Sequence, residues 1–396
     1  MGQRRFILKP VYTRLLTGIA LGLVVWFWPS AWRFVAPALS PFLAISSALA
    51  VRTLSLSFLL AVPMLVLAIF RRRFWCRNLC PVGLISETCG KVRAKRTQSN
   101  ALPSAFPVAR LLVLLTLGGA LVGYPVFIWM DPLALFSGSF SLARVLRAGI
   151  SPLSAAGLPI VILISFLFPG LWCSRICPLG GTQDLLNLVV RGWKRNGREG
   201  NGAPAGTMLP ARRVLIGLGV GVIASAVIPK GWARKLGRLR PPGSVDESTF
   251  QGTCIRCGSC VRVCPTGIIE PSHDAGDAAG YLVPRLRFEG ANYCRQDCNS
   301  CGQVCPPGVI QALPLEAKNR YVIGTAVIDL AACRLTEEVE CGVCLPRCPR
   351  GAIEEIFSYE TYTPSLRVLS DKCNGCGACV GICPPKVIRI VPADRF

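Results

Sequence analysis

The spacing of the cysteines constrains this chain more than any other feature. Of 21 cysteines in 396 residues, most fall after residue 250 in four quartets, each closed by proline. Cys254, Cys257, Cys260 and Cys264-Pro265 form C-x2-C-x2-C-x3-C-P, and Cys373, Cys376, Cys379 and Cys383-Pro384 repeat it unchanged. Cys294, Cys298, Cys301 and Cys305-Pro306 carry one extra residue in the first gap. Cys333, Cys341, Cys344 and Cys348-Pro349 open with a seven-residue gap. Three cysteines two residues apart wrap three corners of a cubic iron–sulfur cluster, while the fourth, before proline, ligates a neighbouring cluster. Disulfides do not suit such crowded runs. Zinc uses pairs of C-x2-C, often with histidine, and this chain has one histidine. Four [4Fe–4S] clusters are therefore expected.

The expected fold for residues 246–396 is an α+β tandem ferredoxin domain of the bacterial type. Glycines inside the loops (Gly258, Gly302, Gly342, Gly375, Gly377) let backbone amides approach the sulfides. With the two regular quartets outermost, a nested pairing is expected. Cys254, Cys257 and Cys260 then take Cys383, and Cys373, Cys376 and Cys379 take Cys264. Inside, Cys294, Cys298 and Cys301 take Cys348, and Cys333, Cys341 and Cys344 take Cys305. Sequential pairing is the alternative.

Composition divides the chain. A hydrophobic fraction of 52% against 16% charged residues predicts membrane spans. The net charge of +23 suggests nucleic acid until it is located. Residues 241–396 hold 15 basic and 17 acidic residues, so residues 1–240 hold 29 and 4. That positive charge lies beside apolar runs near Leu15–Trp28, Leu54–Phe70, Ala109–Trp129, Leu153–Phe168 and Val214–Ile228, where it orients helices in a bilayer; nucleic acid is not expected as a partner. The expected fold is an α-helical membrane domain of duplicated hairpins over residues 1–200, with a fifth span and linker over 201–245. Arginine-rich loops around 71–77 and 91–96 read as cytoplasmic, and Trp26, Trp28 and Trp32 as an aromatic belt.

The two hairpins are copies of each other. Phe74-Trp75-Cys76-Arg77-Asn78-Leu79-Cys80-Pro81-Val82-Gly83 matches Leu171-Trp172-Cys173-Ser174-Arg175-Ile176-Cys177-Pro178-Leu179-Gly180, and Ser40-Pro41-Phe42 echoes Asp131-Pro132-Leu133. Copies in one orientation imply a pseudo-twofold axis along the membrane normal. Such an axis can bring Cys76, Cys80, Cys173 and Cys177 together as the ligand set of a fifth cluster. Asp131 is the candidate proton acceptor, with a helix cap before Pro132 as its structural alternative. Cys89, the odd cysteine, reads as a small buried or interfacial residue. His273, in a polar loop, reads as exposed.

These residues resemble a fusion of two components that supply electrons to periplasmic nitrate reductase. Residues 1–200, with two C-x3-C-P motifs, resemble the NapH-type quinol dehydrogenase membrane subunit. Residues 207–396 resemble the NapG- or MauM-type four-cluster ferredoxin, through Ala211-Arg212-Arg213-Val214-Leu215, Arg240-Pro241-Pro242-Gly243 and Cys254-Ile255-Arg256-Cys257-Gly258. The NapH type ends in its own ferredoxin, which is missing here. The resemblance implies oxidation of a quinol from the quinone pool and delivery of electrons to a redox partner of multihaem cytochrome or molybdenum reductase type. It also implies a place in the bacterial inner membrane with the ferredoxin domain periplasmic, since Arg212-Arg213 stands where the family has a twin-arginine export signal. On that topology about 30 Å of hydrocarbon separates the inner cysteines from the outer clusters, too far for one fast hop. An alternative is a polyferredoxin resembling the NosR and CcoG types, serving maturation or regulation of a metalloenzyme.

Overall fold

The computed structural model describes residues 10–27, 35–54, 56–71, 73–94, 108–139, 156–196, 211–232, 238–274, 280–337, 341–358 and 363–393. The chain forms two compact units: residues 1–232 with 248–258 and 306–308, and residues 233–247, 259–305 and 309–396.

The first unit is helical. Among the described residues its helices include α1 (Pro10–Phe27), α2 (Pro41–Val51), α3 (Leu56–Phe70), α4 (Phe74–Asn78), α5 (Pro81–Ala94), α6 (Val108–Leu121), α7 (Pro132–Ser139), α8 (Gly157–Leu167), α9 (Pro178–Asn196) and α10 (Ala211–Trp232). Proline opens α2, α5, α7 and α9 at the first helical position, where its missing N–H is no loss.

Among the described residues no helix is long and apolar enough to cross a membrane. This overturns the expected membrane domain of five spans, and with it the inner-membrane location with a periplasmic ferredoxin domain. The reason is length and dilution. Helices α3, α6 and α8 hold 15, 14 and 11 residues, so at 1.5 Å per residue they fall short of the ~30 Å of hydrocarbon. Helix α10 has 22 residues, but Arg212, Arg213, Lys230 and four glycines interrupt its apolar character. Some apolar side chains nevertheless face outward, including Leu15, Leu59, Leu215 and Ile223. Trp28, Trp32 and the basic stretch from Lys95 lie outside the described residues.

The core of this unit gathers equivalent residues from both copies: Trp75, Cys80 and Val82 with Trp172, Cys177 and Leu179. Phe42 and Leu133, from the matching segments that open α2 and α7, join them. Ile255 and Cys257, from the first ferredoxin quartet, pack into this same core. Those two residues lie with Cys80 and Cys177 in one apolar cluster of the first unit.

Among the described residues the second unit is built from short helices and three antiparallel ribbons. Strands β1 (Ile269–Pro271) and β2 (Pro284–Leu286) pair with Ile269 opposite Leu286. Strands β4 (Ile353–Ser358) and β5 (Thr363–Val368) form a hairpin with Ile353 opposite Val368. Strand β3 (Gly324–Ile328) pairs with β6 (Ile388–Pro392), Ile328 opposite Ile388. The β3–β6 ribbon spans more than sixty residues of sequence and brackets the last two quartets. Around it Cys333, Cys344, Cys379 and Cys383 pack with Ile353, Leu366 and Ile388 into one core.

Candidate metal centres

The last two quartets exchange their fourth cysteines. Cys373, Cys376 and Cys379 line one small cavity with Cys348; Cys333, Cys341 and Cys344 line another with Cys383. In the preceding pair, burial raises the thiols of Cys294 (to about 11) and Cys301 (to about 12), and each also feels Cys298 and Cys264. Pairing within the second unit is therefore sequential, and the nested arrangement is corrected on all four exchanged cysteines: Cys264, Cys348 and Cys383 directly, and Cys305 because its nested partners take Cys383. The physical reason is β3–β6, which closes quartets three and four into one fold. Backbone N–H groups of Ala326, Ala352 and Ile310 donate to the sulfurs of Cys373, Cys348 and Cys305 at 3.5, 3.2 and 3.5 Å. Gly375 and Gly377 adopt φ of +70° and +80°, a region open to glycine, and a Cβ on Gly375 would collide with the Gly324 backbone.

The first unit holds a further cavity of about 470 Å³, lined by Cys76, Cys80, Cys173 and Cys177 with Trp172, Val82 and Pro132. The two copies of the sequence motif thus meet at one place. They share a closing hydrogen bond, although Phe74–Asn78 is α-helical and Trp172–Ile176 π-helical. Cys80 N–H bonds to Trp75 C=O at 3.0 Å, and Cys177 N–H to Trp172 C=O at 2.8 Å. Each is an i to i+5 turn of the π type, which recurs at functional sites. The second cysteine of each motif then precedes the proline that opens the next helix, so its sulfur stands at a helix N-terminus, where the dipole favours a thiolate. Gly83 N–H donates to Cys80 Sγ at 3.4 Å, and Gly180 N–H does the same for Cys177.

Burial pushes the Cys76 thiol up to about 12, helped by neighbouring Cys173, and raises Cys80, Cys173 and Cys177 as well. Four buried thiolates need a compensating cation, and metal binding supplies one by displacing their protons. Among the described residues no three His, Cys, Asp or Glu side chains converge closely enough for a single ion; the thiols ring cavities instead. The donor set, four cysteines around an apolar space, fits an iron–sulfur cluster. Trp172 lines the same cavity, and its buried indole Nε1–H has no acceptor, one that a cluster sulfide could supply. Arg73 reaches Asp184 through Nε at 3.1 Å and Nη2 at 2.6 Å, and Arg14 pairs with Glu87; both arginines line the cavity.

Asp131 is fully buried and caps α7. One carboxylate oxygen accepts from the N–H groups of Leu133 and Ala134 at 2.9 and 3.1 Å, and the other accepts from the Ser40 hydroxyl. Ser40 is itself the cap of α2. The echoed Ser-Pro and Asp-Pro segments are therefore tied to each other. Burial raises Asp131 to about 6 against the lowering effect of these donors. The next residue, Pro132, lines the cysteine cavity. Cys89 and His273 are half-buried, and His273 packs edge-on to Tyr281 at 6.2 Å, in place of the exposed loop position expected for it.

Sequence reading missed Ser86, Gln183 and the acid beside each of them. The duplication held the signal: Glu87 and Asp184 stand at the same register after the second cysteine and are two of only four acids in residues 1–240.

Comparison with known proteins agrees with this division of labour. A 4Fe-4S binding domain family matches residues 52–98 and again 150–196, the two copies of C-x3-C-P. A 4Fe-4S dicluster domain matches 253–309, and a 4Fe-4S binding domain matches 366–389. The ferredoxin-type protein NapF of Haemophilus influenzae is 36% identical over 38% of this chain and 78% of its own length. The methylamine utilization ferredoxin-type protein MauM of Methylobacillus flagellatus is 30% identical over 46% of this chain and 80% of its own. The ferredoxin-type protein NapG of Escherichia coli is 30% identical over 39% and 71%. No solved structure matches. The chain belongs to the ferredoxin-type proteins represented by NapF, NapG and MauM, iron–sulfur electron-transfer proteins with several [4Fe–4S]-binding domains.

Proposed function

We propose that this chain carries single electrons through five [4Fe–4S] sites, and that residues 1–200 correspond to a NapH-type quinol dehydrogenase subunit fused to a NapG- or MauM-type ferredoxin. Sixteen cysteines serve four sites in the ferredoxin part. Cys264 completes the set Cys294, Cys298, Cys301; Cys348 completes Cys373, Cys376, Cys379; and Cys383 completes Cys333, Cys341, Cys344. The donors left over are Cys254, Cys257, Cys260 and Cys305. Cys76, Cys80, Cys173 and Cys177 hold the fifth. One observation carries this: the four cysteines of a duplicated motif line one cavity, with a buried indole N–H lacking an acceptor beside them.

The proposed electron donor is a quinol and the acceptor a redox partner protein of multihaem cytochrome or molybdenum reductase type. Asp131 is the proposed proton acceptor, supported by a pKa raised to about 6, near the optimum for general-base work. Its three hydrogen bonds favour a second reading, in which the carboxylate ties the two copies together. Asp131→Asn separates the two: loss of quinol oxidation with all iron retained supports the base, and loss of iron supports the tie.

The test of the whole reading is anaerobic purification with iron and sulfide analysis. Five four-iron sites require about twenty irons, and Cys76→Ser with Cys173→Ser should lower the count to about sixteen. A wild-type value near sixteen would overturn the fifth site. Failure of a quinol analogue to reduce the fully loaded protein would remove the dehydrogenase part and leave the maturation polyferredoxin reading.

A further inference from the structure

The cysteine cavity is braced across its symmetry. Gln183, six residues after Cys177, donates from Nε2 to Cys76 Sγ of the other copy at 3.3 Å. Ser86, six residues after Cys80, donates its hydroxyl to Cys173 Sγ, again of the other copy. Both side chains are buried, Gln183 completely. The Oε1 of Gln183 has no partner, and Nε2 also donates to the Leu179 carbonyl at 3.5 Å, so this amide is held with its acceptor end unsatisfied and its donor end shared between sulfur and carbonyl. That is a costly arrangement for an amide kept only for packing.

We propose that Gln183 and Ser86 set the reduction potential of the cysteine-quartet site, each by a hydrogen bond to the first cysteine of the opposite motif. The inference rests on the fifth-site reading above. A donor aimed at a ligand sulfur stabilises the form with more negative charge, which is the reduced one. It therefore makes the site easier to reduce. The one-electron balance is simple: the site accepts one electron from the donor couple and no bond to either side chain breaks. The two copies differ in donor, amide against hydroxyl, so the four sulfurs are not equivalent and the added electron density favours the side facing the stronger donor.

The experiment is an anaerobic redox titration of the full chain, followed by electron paramagnetic resonance, on wild type, Gln183→Leu, Ser86→Ala and Ser86→Thr. Each loss of a donor should leave iron content unchanged and move the midpoint of one site to more negative values. The expected size is a tenfold lower reduced-to-oxidised ratio at fixed potential, which is 59 mV for one electron. The shifts should add in the double variant, since the donors act on different sulfurs, and Ser86→Thr, which keeps the hydroxyl, should restore the wild-type value. Retained iron with unmoved midpoints overturns the proposal alone. A wild-type protein lacking the fifth site overturns it together with the reading it rests on. Should Gln183→Leu fail to load, Ser86→Ala decides: an unmoved midpoint there overturns the proposal and a negative shift supports it.

Discussion

Asp131 shows how much one buried side chain can report. Its carboxyl is raised from the usual 3.8 to about 6, so between those values the folded chain binds a proton that the unfolded chain does not. Stability from this group is therefore greatest below about pH 4 and is lost as pH rises towards 6, by up to about 3 kcal/mol at 1.36 kcal/mol per pKa unit. Thermal midpoints of the loaded protein across pH 4 to 7 should show that decline, and Asp131→Asn should flatten it. At Arg73 the expectation is different in kind. Arg73→Ala strips Asp184, 3% exposed, of its closest cation, leaving Arg110 at 3.9 Å, and should cost about 3 kcal/mol, read by circular dichroism melting. Residue chemistry was partly legible in the sequence. The cysteines stood out as candidate ligands because ligand spacing is local, and Asp131 as a candidate because it is an acid at the end of an apolar run. Ser86 and Gln183 escaped because they differ in type, so the duplication hides them from a search for identical residues.

At the scale of elements, helices α6 and α10 pack through glycine. A Cβ on Gly118 would overlap the Leu218 carbonyl, and one on Gly221 would overlap that of Leu115. Small residues here let two backbones approach, so Gly118→Ala should force the helices apart at a cost of about 1–3 kcal/mol, measured as a lower unfolding midpoint; Gly219, where a Cβ meets nothing, is the control expected to tolerate alanine. The exchange of fourth cysteines makes a sharper prediction. Cys348→Ser should disturb the site of Cys373, Cys376 and Cys379, and Cys383→Ser that of Cys333, Cys341 and Cys344. Altered resonances from the site of Cys294, Cys298 and Cys301 in Cys348→Ser, and from that of Cys254, Cys257 and Cys260 in Cys383→Ser, would restore the nested pairing. Spacing could not decide this, because each quartet looks complete in itself. The register of β3 against β6 decides it, and two short strands sixty residues apart leave little trace in sequence.

For the whole molecule, hydropathy located the apolar runs but not the places where the chain stops being helical. Helices α3, α6 and α8 stop at 15, 14 and 11 residues, so segments that read as spans are shorter elements, and Pro41, Pro81, Pro132 and Pro178 open separate helices between them. The basic excess of the first half does not serve to orient spans: Arg73, expected to lie in a cytoplasmic loop, lines the cysteine cavity with Arg14, and the two pair with two of the few acids. Packing of Ile255 and Cys257 with Cys80 and Cys177 draws the start of the ferredoxin sequence into the helical unit. Limited proteolysis of the loaded protein should accordingly cut between the units while residues 248–258 stay protected with the helices. The crossed hydrogen bonds of Gln183 and Ser86 also bear on how such a site could arise. Neither motif keeps its own first sulfur; each is served by the other. After duplication, therefore, the two copies could not drift as independent genes do, since a change in one is felt at the sulfur of its twin, and divergence had to proceed as a negotiated pair.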